Sequence, residues 1–202
     1  MKGVTDQLYL SMWLPQTLAN WRVRYFEKML SLLPLSQREQ PQSTLTVHAV
    51  SATEPAIFER PFNGPLERSE VAETLKDYEG PDIAYRLETF WDLWLYNGEE
   101  WQVGPSRVSL SAFGSEFDNG TSLEVGKQED LRIDFGVDSA FLPDASILGS
   151  GRLIESNIKS LLRLVKEMEE ALPLERRVLE TESGENFAEK LTRTLGGQNL
   201  TQ

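Results

Sequence analysis

The sequence predicts an α+β fold: a mixed, mostly antiparallel sheet with a β-meander over residues 82–142. An N-terminal helix over about 15–33 and a long C-terminal helix over about 151–172 pack against it. Three observations carry this. Leu131, Ile133 and Phe135 alternate with Arg132 and Asp134, the period-two pattern of a strand buried on one face. Two more strand-like runs, 83–96 and 107–113, precede it across turn-rich segments, as a meander requires. Beyond them Ile154, Ile158, Leu161, Leu162, Val165, Met168 and Leu172 form an apolar helical stripe opposite Lys159, Arg163, Lys166 and Glu170.

At the start of the chain Leu8, Leu10 and Met12 alternate with Tyr9, Ser11 and Trp13, apolar enough on both sides for a strand covered on both faces. Pro15 suits a first helical turn, and Leu18, Trp21, Tyr25, Met29 and Leu32 recur at helical steps until Pro34. Residues 44–50 place Leu45, Val47 and Ala49 on one strand face and Thr44, Thr46 and His48 on the other, with 56–60 as a short hairpin partner. Pro61, Asn63, Gly64 and Pro65 make a dense turn signal, and a short helix over 69–78 follows with Ser69 as its N-cap.

In the run 83–96, Phe90, Trp91, Leu93, Trp94, Leu95 and Tyr96 load both faces, so that half demands cover on both sides. Asn97 and Gly98 form a tight-turn pair that returns Trp101 towards Trp94, and Gly104 and Pro105 mark a break before 107. After Pro173, residues 174–179 read as further helical turns, and Ser183 caps a last helix carrying Phe187, Leu191 and Leu195, ended by Gly196 and Gly197. The expected organisation is one α+β domain over 1–172 and a helical C-terminal appendage over 173–202 with a frayed end.

Composition narrows the function classes. The 202 residues are 40% hydrophobic and 26% charged, enough for one sizeable core. Twenty basic residues against thirty-two acidic ones give a net charge of −12, a field that repels phosphate backbones and anionic lipid. Neither nucleic acid nor membrane is an expected partner. The chain has no cysteine, which excludes disulfides and thiolate chemistry. It shows no apolar leader at its start and no run approaching the roughly 20 apolar residues of a membrane span, so the cytoplasm is expected.

Motifs for catalysis are thin. His48 is the single histidine and no Gly-x-Ser-x-Gly elbow accompanies it. Gly149 and Gly151 begin a dinucleotide fingerprint that Ile154 breaks, and at 120–127 Gln128 stands where a P-loop needs serine or threonine. No catalytic residue and no cofactor are assigned. Asp92 shares a strand face with Phe90 and Trp94, and Arg86, Arg107 and Arg132 are its expected partners. Asp134 and Asp138 flank Gly136 and are the candidates for a hard cation, while Glu116, Asp118 and Asp144 read as loop acids.

Trp91, Trp94, Tyr96 and Trp101 crowd one hairpin and, with Asp92, form the expected binding set. The functional reading is a cytoplasmic, non-enzymatic binding or regulatory protein that contacts a protein partner or a second copy through this aromatic, acidic-flanked hairpin. The alternative is an enzyme or small-molecule binder with a carboxylate pocket, with magnesium or calcium, at the meander.

Overall fold

Strict alternation along the central strands divides one sheet into an apolar and a polar face. A computed structural model describes residues 5–15, 21–38, 42–120 and 128–198. Its elements are β1 (Gln7–Trp13), α1 (Arg22–Leu32), β2 (Ser43–Ala49), β3 (Phe58–Phe62), α2 (Arg68–Leu75), β4 (Ile83–Tyr96), β5 (Trp101–Phe113), β6 (Leu131–Val137), α3 (Ser150–Ala171), β7 (Arg176–Thr181) and α4 (Phe187–Gln198). The seven strands follow the order β3-β2-β4-β5-β6-β1-β7, with every neighbouring pair antiparallel. The architecture is α+β as expected, and β4, β5 and β6 are the meander.

The inner face carries Leu8, Leu10, Met12, Leu45, Val47, Tyr85, Leu87, Trp91, Val108, Leu110, Ile133 and Phe135, all buried in one core. Each of the four helices sends apolar side chains into that same core: Met29 from α1, Leu75 from α2, Leu161 from α3 and Phe187 from α4. All four therefore lie on one side. In α1, which begins at Arg22 rather than near Pro15, the buried residues are Phe26, Met29 and Leu30, while Trp21, Tyr25 and Leu32 are half-buried. Leu18 falls outside the described residues. In α3 the buried set is Ser150, Ile154, Asn157, Leu161, Leu164, Val165 and Met168, and Leu162 is 51% exposed. Leu162 sits about 100° around the helix from Leu161, which turns it off the buried arc.

Six local expectations are corrected. Residues 174–179 do not extend a helix: β7 pairs with β1 from Leu8↔Thr181 to Trp13↔Arg176, so this stretch adds a strand to the sheet. Gly104 and Pro105 lie inside the continuous strand β5, opposite Leu93 and Asp92. β6 pairs with β5 only over Ser109–Ala112, so at Pro105 the strand has an unpaired edge where a missing N–H is tolerated. Pro61 likewise lies within β3, which is an edge strand of the sheet. Ser69 lies inside α2, preceded by Glu67, and the last helix starts at Phe187, where Asn186 rather than Ser183 accepts the Ala188 amide at 2.9 Å. Gly196 does not end that helix, which runs to Gln198.

The outer face holds the other half of the alternation. There Arg132 lies over the rings of Tyr9 and Phe113, at 5.2 and 5.7 Å, and Arg176 lies 4.5 Å over Trp13. Among the described residues, arginine stems rather than a second layer of helices shelter the outer side of β1. At one end Phe117 folds back onto Phe113 and Ala84 as a small satellite core. Gly114 makes this turn: its N–H donates to the Ile83 carbonyl at 2.8 Å, and a β-carbon there would overlap the Pro81 carbonyl and meet Arg22 Nη1 at 2.8 Å. Because backbone cannot swing aside as a side chain does, Gly114→Ala is expected to cost about 2 kcal/mol. Urea unfolding checks this, with a lowered midpoint and an unchanged slope as the result.

Candidate functional site

The far half of β4 outruns its neighbour, because β2 pairs with β4 only as far as Thr44↔Glu88. Beyond Glu88 the exposed backbone edge is satisfied by other groups. The Ser36 amide donates to the Phe90 carbonyl at 2.8 Å, and Leu35 bridges Trp91. Buried Asn157 of α3 then acts as a strand surrogate: its Oδ1 accepts the Trp94 amide at 2.9 Å, and its Nδ2 donates to the carbonyls of Trp94 and Ala140 at 2.9 and 2.8 Å. A polar residue in an otherwise apolar stripe thus clamps α3 to the base of the hairpin.

At the hairpin tip Asn97 Oδ1 accepts the amides of Glu99 and Glu100, both at 2.9 Å, and Gly98 takes φ +104°, as a tight turn demands. Tyr96 and Trp101 face each other across the strands with centroids 5.4 Å apart. Trp101 therefore meets Tyr96 rather than Trp94, as its register opposite Tyr96 dictates. Its Nε1–H donates to the Leu148 carbonyl at 2.9 Å, which bolts the loop leading into α3 to the tip. Between them lies a groove of about 290 Å³, with Trp94, Tyr96, Trp101, Val137, Leu142 and Ile147 among its walls. Tyr96 is 39% exposed and Val137 45%, so two of the large apolar side chains left in solvent line this groove.

The expected binding set separates. Trp91 points to the inner face, fully buried against Phe135 and Phe141 with centroids at 5.6 and 5.9 Å. Trp94, Tyr96 and Trp101 come together in the groove. The outer side of this strand half is only partly covered: Phe90, Asp92 and Trp94 are half-buried. Asp92 does not meet the three arginines expected of it. It accepts the Ser36 hydroxyl at 2.7 Å and lies 3.7 Å from Arg38 Nε, while Arg86 and Arg107 pair with Glu88 and Arg132 pairs with Glu129. Both partners of Asp92 lie in the segment after α1, a long-range juxtaposition that strand pattern does not encode.

The acids of the meander do not converge. Asp134 is on the outer face, where its Oδ1 accepts the Gly136 amide at 2.8 Å. Asp138 is buried and ion-paired to Lys190 of α4 at 2.6 Å. Asp118 and Asp144 accept local backbone amides, from Gly120 and Ser146. Among the described residues no group of three or more acid or histidine side chains is placed to hold a metal ion.

Sequence reasoning passed over Lys190. Its ammonium reaches both Asp138 and, at 3.4 Å, Asp6, whose carboxylate also accepts the Ser183 hydroxyl at 2.6 Å. Burial pulls the Lys190 pKa down, but the two carboxylates outweigh it and the net shift is upward. The Ser183 hydroxyl, with Lys190, holds Asp6 below the ordinary carboxylate range against burial. A lysine one turn from Phe187, on the face of α4 that meets the core, was the available signal.

Compared with protein-family models, curated proteins and solved structures, the chain matches none. Among the described residues no helix is long and apolar enough to cross a membrane.

Proposed function

We propose that this chain is a cytoplasmic, non-enzymatic binding or regulatory protein whose hairpin groove receives a basic, amphipathic segment of a partner protein. The gathering of Tyr96 and Val137 around a groove walled by Trp94 and Trp101 carries this reading. Aromatic rings with one satisfied polar end and one open face are what interface anchors look like, and Trp101 is held that way. Charge selects the partner. Glu99 and Glu100 are exposed at the tip, Asp144 stands on the groove wall, and the whole chain carries −12. Lysine or arginine flanking an apolar anchor complements that rim and speeds encounter.

Affinity capture from native lysate at low salt tests the reading. The expected result is a basic partner whose retention falls with ionic strength. Trp94→Ala and Tyr96→Ala each weaken it by roughly 2 kcal/mol, about thirtyfold, while joint Glu99→Gln and Glu100→Gln slows association. Cell fractionation of the tagged chain checks the compartment. A partner held equally by all variants, or a second copy of the chain as the sole occupant by light scattering, would count against the proposal.

A further inference from the structure

The outer face of the sheet orders its polar residues in rows. Register places Thr46, Arg86, Ser111, Arg132 and Ser11 side by side across β2, β4, β5, β6 and β1. The next row reads Thr44, Glu88, Ser109, Asp134 and Tyr9. Hydroxyl alternates with guanidinium in the first row and with carboxylate in the second. Arg86 and Arg132 stand two strands apart, about 10 Å between backbones, with Ser111 between them.

Over these rows opens a cavity of about 330 Å³, with Arg86, Ser109, Ser111, Arg132 and Asp134 among its walls. Neither guanidinium is exhausted. Arg86 gives one nitrogen to Glu88 at 3.1 Å, and Arg132 gives one to Glu129, which is itself buried. The Nε–H of Arg132 is buried with no hydrogen-bond partner among the described residues. Each guanidinium has five donors in a fork that matches an oxyanion. Asp134 keeps acceptor capacity beyond its bond to Gly136, so the second row favours a ligand group that donates.

We propose that this open face holds a small phosphorylated polyol the size of a hexose phosphate. Its phosphate lies over Ser111 between Arg86 and Arg132, and its hydroxyls donate to Asp134 and exchange hydrogen bonds with Ser109. The net charge of −12 does not forbid an anion here, since screening confines the deciding field to charges within about 8–10 Å.

Isothermal titration of the full chain with glucose 6-phosphate, inorganic phosphate and glucose tests the proposal. Glucose 6-phosphate is expected to bind at least about tenfold more tightly than either fragment, because only it uses both rows. Arg86→Ala, at an exposed side chain, weakens it by about tenfold or more. Asp134→Asn weakens glucose 6-phosphate but does not weaken inorganic phosphate. Leu162→Ala, on the exposed side of α3, alters neither. Glucose 6-phosphate binding no tighter than phosphate, indifference to Arg86→Ala, or no heat at about 10 mM ligand would each overturn the site.

Discussion

Replacing Trp91 by alanine is expected to lower the unfolding free energy by about 4 kcal/mol, the range for deleting a large aromatic from a tight core. Trp91 is 1% exposed and packs on both Phe135 of β6 and Phe141 beyond it, so it joins the meander's strands to the turn leading towards α3. Neighbours held on strands cannot collapse into the space left behind, which puts the cost near the upper end. Trp91→Phe separates packing from polarity. The indole Nε1–H is buried without a hydrogen-bond partner among the described residues, a standing penalty that phenylalanine removes. The expected loss for Trp91→Phe is therefore only about 1 kcal/mol, the smaller void being offset by relief of the orphaned donor. Urea unfolding of the two variants reads the difference.

Lys190→Ala is expected to cost about 3 kcal/mol, although lysine in a terminal helix is ordinarily replaceable. The lysine side chain is 11% exposed and its partner Asp138 only 2%, so removing the cation leaves a carboxylate enclosed without its counter-charge. The double change Lys190→Ala with Asp138→Asn should recover part of that loss, as the two residues share one interaction. The pH dependence follows from the signs. The raised Lys190 pKa means its contribution is fully present below the ordinary value of 10.5 and is lost as pH climbs through the higher folded value. The lowered Asp6 pKa means that contribution is present above the ordinary value of 3.8 and is lost as pH falls through the lower folded value. The gap between wild type and Lys190→Ala should stay constant from about pH 5 to 9 and narrow at both extremes.

The fold was legible wherever one side chain in two was apolar. β1, β2, β4 and β6 sit within a residue or two of their expected limits, and the α3 stripe marked its helix. What failed was information carried by neighbours. Residues 174–179 look helical after the long α3 stripe, but β1 offers an unpaired edge, and pairing on it makes them β7. Pro105 signals a break until the pairing of β5 with β6 is known to stop at Ser109. The candidate site was half legible. Aromatic crowding pointed to the hairpin, and alternation alone separates inward Trp91 from outward Trp94 once the buried face is known. Asn157, which clamps α3 to that hairpin, reads in sequence as a flaw in an apolar stripe, and only the unpaired edge of β4 gives it a purpose. The rows of the outer face needed strand order and register, neither of which alternation supplies.

Photo-crosslinking from the groove tests the proposed docking most directly. A benzophenone amino acid placed at position 96 in the hairpin groove, and in a control chain at Leu162 on the exposed side of α3, is irradiated in native lysate. The expected result is one adduct from position 96, to a protein whose crosslinked peptide is rich in lysine or arginine, and none from position 162. No adduct from position 96, or the same adducts from both positions, would contradict the account.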